Sequence, residues 1–357
     1  LASSAASDVY KRQIQTVMID ENSIPQEIRE QAVTLEVAEP KPVAKPVTEQ
    51  KTETPHPQVH PLETTSHRQR IQSTPQFQAF QTSYTRNMIS LKEDFDLIIA
   101  GQVDGACDHL LSEAASLFAS KTSLELFDMI HTMRSVDDSV YAHSLNVALI
   151  SRAIGKWMQF SKEDLNTLTL AGLLHDIGKT QIPPEILNKQ GKLTDEEFDI
   201  IRSHAKLGHK ILKDTDLDLR IKLAALQHHE RYDGSGYPRG LESDEIDTFA
   251  SIVAIADVYD AMTAARSYRA PKCAFQVIAA FEDDGFQKYN PKVIFTFLQR
   301  VAACYNNSRV LLSDGTAGQI VYLNKNTLSR PIVDTVEHGL IDLSQSANKD
   351  LFIKAIL

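Results

Sequence analysis

The stretch that decides the fold reads His228-His229-Glu230-Arg231-Tyr232-Asp233-Gly234-Ser235-Gly236-Tyr237-Pro238-Arg239-Gly240-Leu241, two adjacent histidines running straight into a glycine-broken loop. Upstream, a second apolar helical stretch ends in Leu173-Leu174-His175-Asp176-Ile177-Gly178-Lys179. Neighbouring side chains on a helix diverge by about 100°, so an adjacent pair of ligands serves a metal best where a helix is ending or where two ions share the space. One such doublet is weak evidence. Two of them, each closing an apolar helical stretch, point to chain-distant segments that supply ligands to one metal centre.

Working outward, His143 lies on a helical pattern with Leu145, Val147 and Leu149, and His204 shares a helical face with Ile200, Leu207 and Ile211. Either one alone reads more readily as a hydrogen-bonded core histidine than as a ligand. Asp257 ends the apolar run from Ser251 to Ala256, where an unpaired buried carboxylate is costly unless it faces a cation. His209, five residues after His204, points to another face and reads as structural or exposed.

In this order, His143, His175-Asp176, His204, His228-His229, the loop at Gly236, Tyr237 and Pro238, and the run from Asp257 to Arg269 resemble the HD-GYP family, a subset of the HD phosphohydrolase superfamily. The resemblance covers about residues 136–305, and its motifs are specific because they are long and ordered. It implies a mainly α fold, an HD-type helical bundle, and hydrolysis of cyclic di-GMP to the linear dinucleotide, with onward cleavage to GMP left open. It also implies a first metal held by His143, His175, Asp176 and Asp257 and a second held by His204, His228 and His229, with Asp176 bridging the two. Such an imidazole and carboxylate shell suits iron or manganese and also binds zinc, cobalt or nickel. Where some members carry a glutamate and a third ion, this chain has Ser139, with Asp138 one residue off register, which favours two ions.

Two ions sharing a carboxylate activate a water and clamp both oxygens of an in-line displacement at phosphorus, so the catalytic groups are Asp176 and Lys179 and no serine or cysteine is required. Lys179 offsets charge on a phosphoryl oxygen. The resemblance puts Asp260, Arg266 and Arg269 on the substrate-facing wall, although either arginine reads equally well as a surface salt bridge. Tyr237, freed by Gly234, Gly236 and Gly240, is expected either to stack on a guanine or to dock a partner, a cyclic di-GMP synthase, with stacking slightly ahead. Two rivals stand beside this reading: a non-enzymatic cyclic dinucleotide receptor, and an HD phosphohydrolase acting on another cyclic dinucleotide or nucleotide.

A formal net charge of -10 argues against a broad nucleic-acid surface, and no DNA partner is expected. No apolar run approaches the roughly 18 to 20 residues of a membrane span, and no signal-peptide pattern opens the chain. Cys107, Cys273 and Cys304 form no C-x-x-C pair, which fits a reducing cytoplasm. The chain opens on Leu1 rather than Met, so residues 1–37 read only as a short N-terminal piece, with its start treated as a fragment. Residues 38–75, Pro-rich and nearly free of large apolar side chains, read as a disordered linker whose His56, His60 and His67 are solvated. Residues 76–135 read as a helical lead-in, a hairpin or alternatively a coiled segment that would make a homodimer. Residues 136–305 are the catalytic domain. After Tyr305, short strands at Arg309 to Leu312, Gly318 to Leu323 and Pro331 to Val336 form a small β appendage over residues 306–357, dispensable to catalysis.

Overall fold

The computed structural model describes residues 67–118, 122–133, 140–189, 191–264 and 272–357, all within one contact unit. The short N-terminal piece and most of the expected linker, with His56 and His60, lie outside them. The linker reading overruns its end: α1 spans His67–Gln72, and its Ile71 packs against the core. α2 (Pro75–Ile99) starts where Thr74 accepts a hydrogen bond from Phe77 N and Pro75 fills the first turn, a position where its missing N–H costs nothing. Its face of Phe77, Phe80, Tyr84, Leu91, Phe95 and Ile98 is buried. α3 (Val103–Phe118) and α4 (Ser123–Met133) complete the lead-in.

The lead-in is not a separate segment. Among the described residues its buried apolar face belongs to the same core as the helices of residues 140–174 and 248–304. The Tyr84 hydroxyl shares its proton between Asn146 Oδ1 at 2.7 Å and Ala142 O at 3.0 Å, both on α5 (Val140–Trp157). It therefore grips α5 beside His143.

α5 and α6 (Lys162–Leu174) pack closely because Gly172 leaves room; a Cβ there would lie 2.6 Å from Ala148 Cα. Ser161 caps α6 by accepting from Asp164 N, and Thr194 and Glu197 form the full reciprocal capping box of α8 (Asp195–Arg202). Pro183 and Pro184 begin the single turn α7 (Pro184–Leu187), beside a small apolar cluster of Ile182, Leu193 and Ile201. Four helices follow around the site, α9 (His204–Leu212), α10 (Leu219–Gln227), α11 (Thr248–Thr263) and α12 (Ala274–Lys288), and α13 (Pro291–Cys304) closes the bundle. No helix among the described residues is long and apolar enough to cross a membrane.

Beyond Tyr305 the chain forms an antiparallel sheet in the order β4-β3-β2-β1-β5, from β1 (Arg309–Leu312), β2 (Ala317–Tyr322), β3 (Ile332–Thr335), β4 (Gly339–Asp342) and β5 (Ile353–Ile356). Its inner residues Val310, Leu312, Ile320, Val333 and Ile353 belong to the same core as the helices. Glu282 on α12 accepts from Leu328 N, and Cys273 Sγ donates to Ile353 O at 3.2 Å.

The sheet and the helices therefore share one core, which ties the stability of each to the other. Ending the chain at Tyr305 should strip the cover from Phe275 and Tyr305 and leave Glu282 without its donors. Each large side chain so exposed forfeits about 1.5–3 kcal/mol, so the shortened protein should melt far lower or be recovered insoluble. A thermal melt matching that of the full chain would show that the sheet is a true appendage.

Candidate metal centre

Three of the histidines sit where a helix ends, and that placement fixes their chemistry. His175 caps the C-terminus of α6, His228 caps that of α10, and His204 opens α9 one residue after α8 closes. The last carbonyls of a helix lack partners along the helix. Here the Nδ1–H of each ring donates to a carbonyl of the last turn: His175 to Gly172 O at 2.8 Å, His204 to Ile201 O at 2.6 Å and His228 to Ala224 O at 3.0 Å, the last also accepting from His228 N. That bond holds the tautomer with its Nε2 lone pair bare. His143 differs: its Nδ1 donates to Asp260 Oδ2 at 2.8 Å and its Nε2 faces Asp257 Oδ1 at 3.2 Å, so both ring nitrogens meet a carboxylate.

The bare nitrogens converge on Asp176, which is 1% exposed. Its Oδ2 lies 3.3 Å from His175 Nε2 and 3.6 Å from His143 Nε2, whereas its Oδ1 lies 3.4 Å from His204 Nε2 and 3.7 Å from His228 Nε2. One oxygen thus faces each set. Asp257 Oδ1 approaches His143 Nε2 at 3.2 Å, and Asp257 Oδ2 approaches His229 Nδ1 at 3.9 Å. Donor atoms of His204, His228 and His229, of His143, His175 and Asp257, and of His175, Asp176 and His228 each lie within 4.8 Å of one another. The residues fit divalent metal: His175 Nε2, Asp176 Oδ1 and His229 Nδ1 are buried polar atoms with no hydrogen-bond partner, and buried atoms of that kind normally have one.

The protonation states suit ligation. Burial, only partly opposed by the Asp176 charge, pushes His204 down to about 4, and burial with the neighbouring imidazoles holds His228 and His229 well below the usual range. Burial works against charge on His143 too, but its bonds to Asp257 and Asp260 prevail and raise it to about 9, so a metal there must displace a proton. For Asp176 burial is outweighed by Lys179 and His175, and for Asp257 by His143, so both stay ionised, well below the normal carboxylate range.

Glycine sets the spacing. Gly178 lies in the 3-10 turn Ile177–Gln181 just past the Asp176 pair, and a Cβ there would overlap the His204 carbonyl and Gly208 N of α9. Only a bare backbone lets that turn lie flat enough on α9 to bring His204 to Asp176. Lys179, on the same turn, pairs its ammonium with Asp176 Oδ2.

The signature loop departs from expectation. Tyr237 is 4% exposed, with its ring stacked on His229 at 4.6 Å and 25° and the Arg202 guanidinium 4.6 Å from its centroid. In this arrangement the ring packs on the candidate ligand His229 and the Arg202 guanidinium. The loop turns inward because Tyr237 N bonds to His229 O at 3.1 Å, and because buried Glu230 accepts from Arg239 N at 2.7 Å and Leu241 N at 3.0 Å. Gly236 presses against the backbone of Glu230 and Arg231, and Gly234 and Gly240 take positive φ. Glu230, Arg231 and Arg202 had no assigned role in the sequence, although Glu230 directly follows the histidine pair; a buried-side-chain role has no local signature there.

Asp260 has a partner that the sequence did not indicate. Its carboxylate is 5% exposed and engaged with His143 Nδ1, a position from which it orients a candidate ligand. His209 is half-buried on α9 and stands outside the cluster. Arg266, Arg269, Ser139 and Asp138 lie outside the described residues.

Histidines and carboxylates gathered at helix ends in an α-bundle define a helical metal-binding domain. The chain belongs to the HD-domain family, whose profile, described as "HD domain", matches residues 109–293, and within it to the HD-GYP branch. It is 39% identical over 179 residues to a cyclic di-GMP phosphodiesterase of Thermotoga maritima, covering 49% of this chain and 48% of that one. It is 34% identical over 182 residues to 3'3'-cGAMP-specific phosphodiesterase 2 of Vibrio cholerae, covering 50% and 35%. It thus spans about half the length, or less, of these curated relatives. A HDG"Y"P protein from Bdellovibrio bacteriovorus shares the fold, at a TM-score of 0.50 and 18% identity over 64% of this chain and 74% of that one.

Two substitutions test how the site is built. Tyr237→Phe should be nearly silent, because the lost hydroxyl is buried and unbonded; Tyr237→Ala should cost about 3–5 kcal/mol and lower the metal content by freeing His229. Gly178→Ala should lose metal as well. Elemental analysis that finds wild-type metal in both alanine variants would refute the packing account.

Proposed function

We propose that the chain is a metal-dependent phosphodiesterase that opens a cyclic dinucleotide, cyclic di-GMP foremost, to its linear form. The observation that carries this reading is the Asp176 carboxylate, whose two oxygens divide the surrounding imidazoles between them. His143, His175, Asp176 and Asp257 would hold one divalent ion, and His204, His228 and His229 a second, with Asp176 shared; iron or manganese suits these ligands best. When bound, two such ions lower the pKa of a water and draw charge from the oxygens of a phosphodiester.

The chain's own groups would do the rest. Asp260 keeps His143 in the tautomer whose Nε2 can ligate. Tyr237 holds the His229 ring. The Lys179 ammonium, beside Asp176, would offset negative charge growing on a phosphoryl oxygen. Arg266 and Arg269 are proposed as anchors for the second phosphate and the bases. The relatives' names cover both cyclic di-GMP and 3'3'-cGAMP, so the identity of the second purine is the finer question within this reading.

Metal-loaded protein incubated with cyclic di-GMP, 3'3'-cGAMP and a cyclic di-adenylate, with products resolved by chromatography, should give linear dinucleotide fastest from cyclic di-GMP. Asp176→Ala should lose metal and turnover together. Lys179→Ala should keep its metal and lose roughly 10- to 1000-fold in kcat. A metal-replete wild type that binds all three without cleaving any would make the chain a receptor instead.

A further inference from the structure

His229 stands apart from the other imidazoles of the centre. His175, His204 and His228 each donate from Nδ1 to a backbone carbonyl, and His143 donates to Asp260. The His229 ring makes no hydrogen bond among the described residues, and its Nδ1 is buried. A metal-binding histidine is normally oriented by such a bond, and losing one costs about 10- to 100-fold in metal affinity. Something else must fix this ring. Tyr237 stacks on it at 4.6 Å and 25°, yet the Tyr237 hydroxyl is buried without a partner, so no side-chain hydrogen bond holds the tyrosine either. Its backbone N bonds to His229 O at 3.1 Å, which anchors the main chain but leaves the ring free to turn. What lies over the ring is the Arg202 guanidinium, 4.6 Å from the centroid.

A cation over an aromatic face is attracted by the ring's quadrupole. The carboxylate partner of Arg202, Asp199, is 3.5 Å away and 73% exposed, and a pair so open to water contributes little. The ring is therefore the stronger reason for the guanidinium to stay where it is. We propose that Arg202 is a positioning residue of the metal centre: its cation–π contact holds Tyr237 against His229 and so supplies the orientation that a hydrogen bond gives the other imidazoles. This role rests on the reading of His229 as a ligand to the second ion, and it acts on the retention of that ion, not on the reacting atoms. Arg202 closes α8, whose Ile201 belongs to the small cluster with Ile182 and Leu193 and not to the main core. Retention of the second ion thus depends on how α8 is seated.

Manganese-loaded full chain titrated with a competing chelator, with the ions retained counted by elemental analysis, reads this role without recourse to activity. The wild type should hold two ions. Arg202→Met, of similar length but uncharged, should hold one of them about 2- to 30-fold more weakly, and Arg202→Lys, which keeps a cation, should stay close to the wild type. A double-mutant cycle separates the charge from mere bulk. With Tyr237→Phe as the reference, trifluorophenylalanine placed site-specifically at the same position keeps nearly the same shape but draws charge off the ring. It should weaken retention when Arg202 is present and add nothing in Arg202→Met. Wild-type retention in Arg202→Met, equal losses in Arg202→Lys and Arg202→Met, or a fluorination effect of the same size in both backgrounds would each overturn the proposal. A wild type that binds fewer than two ions would overturn the two-ion reading itself, and this role with it.

Discussion

A carboxylate ionised at 1% exposure governs the architecture of this site. Burying the Asp176 charge without compensation would cost several kcal/mol, and the fold surrounds it accordingly. Lys179 comes back along the 3-10 turn to pair with one oxygen, and imidazoles from three other segments approach both. None of those segments is near Asp176 in sequence, so each must be delivered by tertiary packing. That requirement explains the backbone approaches that tolerate no side chain, Gly178 on α9 and Gly172 on α5.

The helix ends supply the second constraint. α6, α8 and α10 all finish at the cluster, each offering a carbonyl to an imidazole Nδ1–H. A helix C-terminus carries about half a negative charge. Three of them aimed at one place build a site that favours cations before any side chain is counted. The same geometry resolves the difficulty of adjacent ligands. His175 and Asp176, and His228 and His229, can serve one centre because the helix stops between them and the backbone changes direction.

This is why so much of the centre was legible in the sequence. A doublet at the end of an apolar helix is a local pattern, and both doublets turned out to lie at such ends. What the sequence did not show depends on partners distant along the chain. Nothing local to Tyr237 reveals that its loop folds back on His229, because the anchors are Glu230 and a backbone carbonyl. Nor does anything local to Asp260 reveal that His143 lies beside it. β4, with no buried residue of its own, and β5, which exists by pairing with β1, lack the alternation that exposed the other strands. The helix at 67–72 hid behind the composition of the Pro-rich stretch before it.

The continuity of the core bears on how the lead-in could influence the site. Trp157 stacks on Phe127 of α4 at 6.0 Å and 6°, and Phe127 meets Tyr259 of α11 edge-on at 5.5 Å. Tyr259 lies between Asp257 and Asp260, and its hydroxyl also contacts His131 of α4 at 3.2 Å. Interiors packed at crystal-like density do not let one ring move while its neighbours stay put. A displacement of α4 would therefore have to be taken up at Tyr259, on the helix that carries one candidate ligand and the carboxylate that orients another. From the other side, Tyr84 of α2 holds α5 at Ala142, next to His143. The lead-in thus touches the helices of His143 and Asp257 through separate contacts, so a change in its packing would alter the distance between these two residues more readily than it would shift the whole centre.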